Sequence, residues 1–569
     1  MRILLLCHSF NSLTQRLHVE LREAGHEVSV EFDVNDAVTC EAVALFRPDV
    51  VIAPFLKRAI PEDVWRSVRC LVVHPGVRGD KGPSALDWAI LEGEASWGVT
   101  LIEAVGEMDA GPVWAWREFP MRQTTKASLY RREVARAAVE CVFEALARLA
   151  AGETHAPTPA NVGRGRLRSA CGEAERRIEP ARCGVEDALR IGRAADGAPG
   201  ARISLFDRDW RVFGLERADG LDGRPGQALA RSDDAVAVGL ADGAIWIGQA
   251  KRPGAREIKL PAALAMAADL EGLPFASSPS PLRFRLEDGV AYLSFDFYNG
   301  AFSTVDCEAL SAAVERALAA KPRILVLAGG ADCWSNGLHL GVIEASASPA
   351  EESWLNINAM DDLVERIVRA ADVWTVSALR GNAGAGGVFL SLAADEAWMG
   401  DNVVLNPHYK DMGNLFGSEY WTYLLPKRVG PERARRIAAA RLPMGIAEAL
   451  RLGLAGERLP GDLAGADSAI RARAAARAAD AKGLARRLEA KRALRAADEA
   501  QKPLAAYREE ELKRMKRNFY GFDPSYHVAR YNFIRKIPKS RTPLTLAVHR
   551  SSGRRITDAL PSPRSRGEG

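Results

Sequence analysis

Two groups of residues in this chain have types and spacings that could support catalysis. The first is His74, which follows a short apolar run and precedes, further along, the segment Asp109-Ala110-Gly111. An imidazole can stabilise and protonate a developing oxyanion, and a nearby carboxylate can orient it and accept a proton. The second is a glycine-rich turn between a predicted strand and a predicted helix, Arg380-Gly381-Asn382-Ala383-Gly384-Ala385-Gly386-Gly387. Glycines let backbone N–H groups approach a ligand oxygen without a Cβ clash. An isolated histidine or glycine turn is more often structural, so the surrounding elements decide between the two interpretations.

Composition excludes several classes of function. The chain has 569 residues, 47% of them hydrophobic, and a net charge of +4. This length predicts roughly two to four domains, and the small charge gives no support for nucleic-acid binding. The eight cysteines are scattered with no C-x-x-C spacing, so we expect no metal site and a reducing, cytoplasmic environment. The apolar residues 3–6 predict a buried first strand rather than a signal peptide, and no apolar run is long enough to cross a membrane.

The order of predicted elements indicates an α/β protein of several domains. Residues 1–160 alternate strand and helix patterns, which predicts a doubly wound domain that binds ligands at the carboxyl ends of its strands. Residues 161–275, which begin within a Pro- and Gly-containing linker at 152–168, predict a small β-rich, OB-like domain. Residues 281–464 predict a second α/β domain. Residues 465–545 predict a helical extension that is solvated or packed at an interface, and residues 546–569 predict a disordered tail.

The first part of the chain resembles the formyltransferase family that includes methionyl-tRNA formyltransferase and glycinamide ribonucleotide transformylase. The matching elements are His74-Pro75, Arg78-Gly79, Pro83, Gly98-Val99-Thr100 and Asp109-x-Gly111. The resemblance implies N10-formyltetrahydrofolate as the formyl donor, His74 and Asp109 as catalytic residues, and folate contacts from Ser9, Ile52, Pro54 and Arg78.

One position departs from the formyltransferase pattern. Val72 stands where the family has a catalytic asparagine. Either a residue from elsewhere replaces the missing oxyanion donor, with Asn11 and Ser9 as candidates, or the first site is weakened. We take Asn11 as the candidate catalytic residue.

The later part of the chain resembles the crotonase family of enzymes, which includes the enoyl-CoA hydratases and isomerases. The resemblance implies coenzyme A as a ligand, an oxyanion hole made by the N–H groups of Leu338 and Gly386, and cofactor contacts from the adjacent Gly337 and Gly387.

The hydratase acid–base residues are missing from this crotonase-like region. Hydratases of this fold carry two glutamates, and Phe389 and His408 occupy those positions here. Hydration of a double bond is therefore not expected. Tyr409 and Glu419 are the remaining candidate catalytic residues, although each could have only a structural role.

Over most of its length the chain resembles the HypX/HoxX family of [NiFe]-hydrogenase maturation factors. The resemblance is carried by the order of the two enzyme-like regions and by Gly82-Pro83-Ser84-x-Leu86-Asp87-Trp88 and Tyr531-Asn532-Phe533-x-Arg535-Lys536. It implies formyl transfer from N10-formyltetrahydrofolate to coenzyme A, decarbonylation of formyl-CoA to CO, and hydrogenase maturation proteins as candidate partners. Two alternatives stay open: an active formyltransferase whose crotonase-like domain only binds coenzyme A or a partner, and a non-catalytic maturation scaffold.

Overall fold

The computed structural model describes residues 1–159, 162–254 and 256–551. The domain boundary predicted between residues 160 and 161 lies outside these described residues. Within them the chain forms three main sheets, each covered by helices or by a neighbouring sheet, and a C-terminal set of helices. The predicted α/β class is confirmed.

The first sheet has the strand order β2-β1-β3-β4-β5-β6. Its first four strands run parallel, and the last two are antiparallel. Strands β1 to β4 consist almost entirely of buried residues, as expected for a parallel sheet with helices on both faces. The strands are β1 (Arg2–Cys7), β2 (Glu27–Phe32), β3 (Val50–Phe55), β4 (Cys70–His74), β5 (Ser96–Glu103) and β6 (Val113–Pro120). The helices are α1 (Ser12–Glu23), α2 (Asp36–Phe46), α3 (Glu62–Ser67), α4 (Ala85–Leu91), α5 (Lys126–Leu129), a π-helical turn (Tyr130–Val134) and α6 (Ala135–Ala150).

The second sheet is antiparallel, with the order β7-β8-β11-β10-β9 and with β12 paired to β11. Its alternating strands bury one face against the helix that precedes them, which gives the small β-rich unit that the sequence predicts. The elements are α7 (Val185–Ala195), β7 (Ala201–Leu205), β8 (Arg208–Arg217), β9 (Ala228–Arg231), β10 (Val236–Leu240), β11 (Gly243–Lys251), β12 (Leu260–Pro261), α8 (Ala262–Ala265) and a 3-10 turn (Ala267–Asp269).

The third sheet has the order β13-β14-β15-β17-β19-β21, and a small sheet β16-β18-β20 lies beside it. The strands are β13 (Leu282–Glu287), β14 (Val290–Phe295), β15 (Ile324–Ala328), β16 (Cys333–Ser335), β17 (Trp374–Leu379), β18 (Asn382–Gly384), β19 (Glu396–Gly400), β20 (Leu405–Asn406) and β21 (Glu457–Leu459). The helices are a 3-10 turn (Tyr298–Gly300), α9 (Thr304–Ala319), α10 (Leu340–Ala345), α11 (Pro349–Val368), α12 (Gly386–Leu392), α13 (Trp421–Val429), α14 (Pro431–Ala440) and α15 (Ile446–Leu452). Parallel β16 and β18 bring the loop after β16 next to the start of α12.

The C-terminal extension packs against this third region. It consists of α16 (Leu463–Ala479), α17 (Ala481–Gln501), α18 (Leu504–Tyr520), α19 (Ser525–Ile534) and a 3-10 turn (Val548–Arg550). Lys491 of α17 is buried, and its ammonium donates to the carbonyl of Val373 at 2.8 Å and to the Asp395 carboxylate at 2.6 Å. The extension was predicted to be either solvated or packed at an interface, and in the structure it is packed. No helix among the described residues is long and apolar enough to cross a membrane.

The prediction of a disordered tail at residues 546–569 is wrong for residues 546–551. Val30 on the edge strand β2 donates its N–H to the carbonyl of Leu546 at 3.0 Å. His549 is buried, with Nε2 2.9 Å from the Glu31 carboxylate and Nδ1 2.6 Å from Ser29 Oγ. Composition alone misses such a segment, because a few apolar and polar contacts to a distant sheet edge order it. Residues 552–569, the rest of the predicted tail, lie outside the described part of the chain.

Candidate active sites

His74 ends strand β4 and lies between two carboxylates. Its imidazole is buried, with Nε2 2.9 Å from Asp80 Oδ2 and Nδ1 3.6 Å from Asp109 Oδ1. Asp80 is almost fully buried, whereas the Asp109 side chain keeps a partly exposed face. A carboxylate beside each ring nitrogen fixes the plane of the imidazole. The sequence pattern does not indicate Asp80, although this residue follows His74 by only six positions.

The turn after β4 returns the chain to the histidine ring. Gly76 is required in this turn, since a Cβ there would overlap both the His74 ring and the Asp80 carboxylate. Thr100 Oγ1 donates to the Gly76 carbonyl at 2.8 Å and so ties the turn to β5. Within the stretch at 152–168, predicted to be a linker, Gly165 packs on this turn and donates its N–H to the Arg78 carbonyl at 2.9 Å.

Asp109 is held by its own loop in a conformation that aims its carboxylate at the histidine. Its backbone has φ +54°, a left-handed conformation that is uncommon for residues other than glycine. Asp109 Oδ2 accepts the N–H of Gly82 at 3.1 Å, which leaves Oδ1 facing His74. The predicted pair His74 and Asp109 is therefore brought together.

Asn11 does not have the environment expected for an oxyanion donor beside His74. It is the N-cap of α1, where its Oδ1 accepts the Thr14 N–H at 3.0 Å. Its amide nitrogen donates to Tyr130 Oη at 3.2 Å. Within the described residues no hydrogen bond links Asn11 to His74. The candidate replacement for the missing asparagine thus has a capping role in this structure, and Val72 adds only an aliphatic side chain beside His74.

The predicted folate contacts lie on neighbouring elements. Ile52 and Pro54 are buried in β3, which pairs with β4 through Ala53 opposite Val72. Ser9 is exposed after β1. The guanidinium of Arg78 stacks on the Trp116 ring at 4.1 Å rather than pointing at His74.

In the second site, two backbone segments approach each other at the start of α12. A Cβ built on Gly337 would lie 3.6 Å from the Gly386 nitrogen, so the loop carrying Gly337 and Leu338 faces that N–H group directly. The Trp334 indole donates to the Gly387 carbonyl at 2.9 Å and fastens the two segments together. The four residues predicted from the crotonase pattern are thus adjacent, in an arrangement that can bind a thioester oxygen.

Glu419 lies against this pair of backbone segments. A Cβ on Gly386 would overlap Glu419 Oε1, so the carboxylate contacts the predicted oxyanion hole itself. Tyr409 Oη donates to Glu419 Oε2 at 2.5 Å. Burial, aided by the nearby Asp361 carboxylate, raises the pKa of Glu419 to about 8. A carboxyl group with its pKa near neutrality can both accept and return a proton.

The two residues that replace the hydratase glutamates have distinct surroundings. Phe389 is fully buried and stacks on the Tyr409 ring, with centroids 5.5 Å apart and an interplanar angle of 20°. It therefore supports the tyrosine that contacts Glu419. His408 faces a cavity behind this pair, which it shares with Trp421, and burial lowers its pKa.

Partly buried hydrogen bonds join the helical segment before α6 to loops around the third sheet. Arg132, in the π-helical turn, donates to the Arg380 carbonyl at 3.0 Å and to the Gly461 carbonyl at 2.9 Å. Ser128 donates to Asp332 at 2.9 Å. Arg380 begins the glycine-rich turn, so the two candidate sites are parts of one connected structure.

Comparison with known proteins identifies both regions. A Formyl transferase family model matches residues 15–146, and an Enoyl-CoA hydratase/isomerase model matches residues 286–520. The chain is 58% identical to the hydrogenase maturation factor HoxX of Bradyrhizobium diazoefficiens, over 97% of each protein. It is also 26% identical to methionyl-tRNA formyltransferase of Aromatoleum aromaticum, over 38% of this chain and 68% of that enzyme.

Among solved structures, HypX from Aquifex aeolicus in complex with tetrahydrofolic acid superposes with a TM-score of 0.94 and 43% identity, over 98% of this chain and 100% of that one. The predicted resemblance and the predicted fold class are confirmed. This chain belongs to the HypX/HoxX family of hydrogenase maturation factors, with a formyltransferase domain followed by an enoyl-CoA hydratase/isomerase-like domain.

Proposed function

We propose that the protein makes carbon monoxide for hydrogenase maturation in two steps. The first step moves the formyl group of N10-formyltetrahydrofolate to the thiol of coenzyme A. The second step splits the resulting formyl-CoA into CO and coenzyme A. Both substrates are cytoplasmic metabolites, so the proposal places the protein in the cytoplasm, with hydrogenase maturation proteins as its partners.

The first step uses His74 and its two carboxylates. The coenzyme A sulfur bonds to the formyl carbon, the bond from that carbon to N10 breaks, and the thiol proton ends on N10. His74 stabilises the negative charge that develops on the formyl oxygen, since the carboxylates on its two sides hold the ring in place. Asp109, the more exposed of the two, is placed to accept the thiol proton, while Asp80 orients the ring.

The second step uses Glu419 and the backbone of the oxyanion hole. Glu419 takes the proton from the formyl carbon, the carbon–sulfur bond breaks, and the proton ends on the departing thiolate. The products are CO and coenzyme A, so no external oxidant or reductant is needed. The N–H groups of Leu338 and Gly386 bind the oxygen during the step. The observation that carries this proposal is the buried Glu419 carboxyl in contact with Gly386 and hydrogen-bonded to Tyr409.

A cluster of lysines beside the second sheet supports binding of the coenzyme A phosphates. Burial and neighbouring cations lower the pKa of Lys251, Lys259 and Lys536, and that of Lys259 falls to about 8. These groups come from β11, from the segment before β12 and from the C-terminal extension. A bound polyanion would relieve their mutual repulsion, because opposite charges stabilise the protonated amines. The folate would lie at the ends of β3 and β4, beside His74.

The test separates the two steps. Purified protein is incubated with N10-formyltetrahydrofolate and coenzyme A, tetrahydrofolate is quantified, and CO is trapped on a reduced haem protein. We expect His74→Ala to abolish both products and Glu419→Gln to abolish CO while tetrahydrofolate still forms. Glu432→Gln, an exposed glutamate on α14, is the matched control. CO production by Glu419→Gln at the wild-type rate would overturn the second step and leave a crotonase-like domain that only binds.

A further inference from the structure

Glu419 and two other buried carboxyl groups, Asp361 and Glu511, lie close together at the turn that carries Glu419. Asp361 belongs to α11, and Glu511 belongs to α18 of the C-terminal extension. Both are fully buried, as Glu419 is. The mechanism proposed above uses Glu419 but gives no role to the other two.

Asp361 and Glu511 accept hydrogen bonds from the backbone and hydroxyl groups around Glu419. Asp361 Oδ1 accepts the Glu419 N–H at 2.7 Å, and its Oδ2 accepts the Ser418 hydroxyl at 2.7 Å. Glu511 Oε1 accepts the Thr422 N–H at 2.8 Å, and its Oε2 lies 3.4 Å from Ser418 Oγ. Donors on both sides of Glu419 are thus fixed by two carboxyl groups from two different helices.

The backbone held by these bonds has an unfavourable conformation. Glu419 has φ +60° and Tyr420 has φ +56°, both in the left-handed region. This region is unfavourable for residues other than glycine, because the Cβ comes too close to the following carbonyl oxygen. A consecutive pair persists only where surrounding contacts determine it, and this pair places the Glu419 carboxylate against Gly386.

We propose that Asp361 and Glu511 are positioning residues of the second site, and that α18 thereby makes the C-terminal extension part of that site. This inference rests on the proposed decarbonylation, and it adds which residues present the base to formyl-CoA. Neither residue touches the substrate; each acts through the turn that holds Glu419.

The charges around the turn fit this role. Among the described residues, the titratable groups near the three carboxyls include the Tyr409 and Tyr420 hydroxyls, the Cys307 thiol, Asp362, and Arg508, whose Nε lies 3.9 Å from Asp361. Burial, together with the Asp361 charge, raises the pKa of Glu511 to about 8. Because acidic groups outnumber the cations in this set, ionisation of all the carboxyls at once is disfavoured, and removing any one carboxyl also alters the protonation of its neighbours.

The test compares alanine and amide variants at both positions. In Asp361→Ala and Glu511→Ala we expect the kcat for CO formation from formyl-CoA to fall about 10–100-fold, as for loss of charge-assisted hydrogen bonds. The KM for formyl-CoA and the rate of tetrahydrofolate release should stay within about twofold. Asp361→Asn and Glu511→Gln should recover part of kcat, because an amide oxygen still accepts the backbone N–H. Glu510→Gln, exposed on the same helix and paired with Lys502, is the control.

Each outcome decides the matter. Wild-type kcat in a folded alanine variant would overturn the inference. Where an alanine variant does not fold, the amide variant is measured instead. An equal loss of tetrahydrofolate release and CO formation in Glu511→Gln would indicate a general structural role and would also overturn the inference. If wild-type protein makes no CO from formyl-CoA, the proposed function fails and the inference falls with it. CO formation that is insensitive to both positions refutes the inference alone.

Discussion

The hydroxyl of Tyr409 gives a quantitative test of Glu419 as the base. Tyr409→Phe removes one oxygen and keeps the ring that stacks on Phe389. The lost group donates to Glu419 Oε2 at 2.5 Å and to the Ser418 carbonyl at 3.0 Å. The substitution therefore removes hydrogen bonds with little change in packing, and the remaining question is how far the protonation of Glu419 shifts.

The size of the shift follows from the hydrogen bond to the ionised carboxylate. Burial and the Asp361 charge raise the pKa of Glu419 to about 8, and the tyrosine hydroxyl opposes them. A hydrogen bond to a charged group contributes roughly 1.5–3 kcal/mol, which corresponds to about 1–2 pKa units. In Tyr409→Phe the pKa should rise by this amount. Since only the ionised carboxylate can accept the formyl proton, the rate at pH 7 should fall about 10–100-fold.

The assay measures CO formation from formyl-CoA between pH 6 and pH 10 for the wild type and Tyr409→Phe. The rate should rise with pH in both proteins, with the midpoint of the variant displaced to higher pH. The difference between the proteins should shrink at the alkaline end. A loss of equal size at every pH would refute this reasoning, because it would indicate that Tyr409 acts on geometry and not on the ionisation of Glu419. A rate that falls with pH in the wild type would refute Glu419 as the base.

Local pattern was sufficient to predict the elements that carry His74. Residues 70–73 are apolar and His74 follows them, and the structure has β4 over Cys70–His74. Asp80 was missed because its position depends on a turn, and that turn is closed by Gly165, far along the chain. The sequence of the turn itself contains no pattern from which the later contact with Gly165 could be predicted. A polar residue a short turn beyond a histidine is the signal that could have identified it.

The second site was less predictable from local pattern. Local pattern indicates the glycine-rich turn, because strand–turn–helix geometry is encoded locally, and the resemblance to the crotonase family implies the role of Leu338. The partners of Glu419 are not encoded locally: Asp361 and Glu511 come from helices on either side of it in sequence and meet only in the folded protein. The left-handed backbone at Glu419 has no signature in residue type, since glutamate is ordinarily unfavourable there.

Residues 131–151 are rich in Ala, Val and Leu, a pattern that predicts a helix, and they show a third limit of sequence-based prediction. The structure begins this helix with a π-helical turn, Tyr130–Val134, before α6. Apolar periodicity averages over such a turn and predicts one continuous helix. The irregular geometry lies where Arg132 reaches the Arg380 carbonyl, in keeping with the frequent occurrence of π turns at functional positions.

Two further predictions concern the carboxyl groups at the two sites. Asp80→Asn should reduce tetrahydrofolate formation about 10–100-fold by weakening the charge-assisted contact with His74. Glu107→Gln, at an exposed position on the Asp109 loop, is the control and should keep the wild-type rate. Equal rates of tetrahydrofolate formation in Asp80→Asn and the wild type would contradict an orienting role for Asp80. The second concerns stability. Burial raises the pKa of Asp361 to about 7 and those of Glu419 and Glu511 to about 8, so between about pH 4.5 and about pH 8 the folded protein holds protons that the unfolded chain has released. The free energy of unfolding should therefore fall as the pH rises through this window, by up to about 1.4 kcal/mol per pH unit for each group. Glu511→Gln removes one of these groups and should flatten the fall in denaturant titrations from about pH 5 to about pH 8.5; a decline as steep as that of the wild type would show that Glu511 is ionised in the folded protein throughout this range.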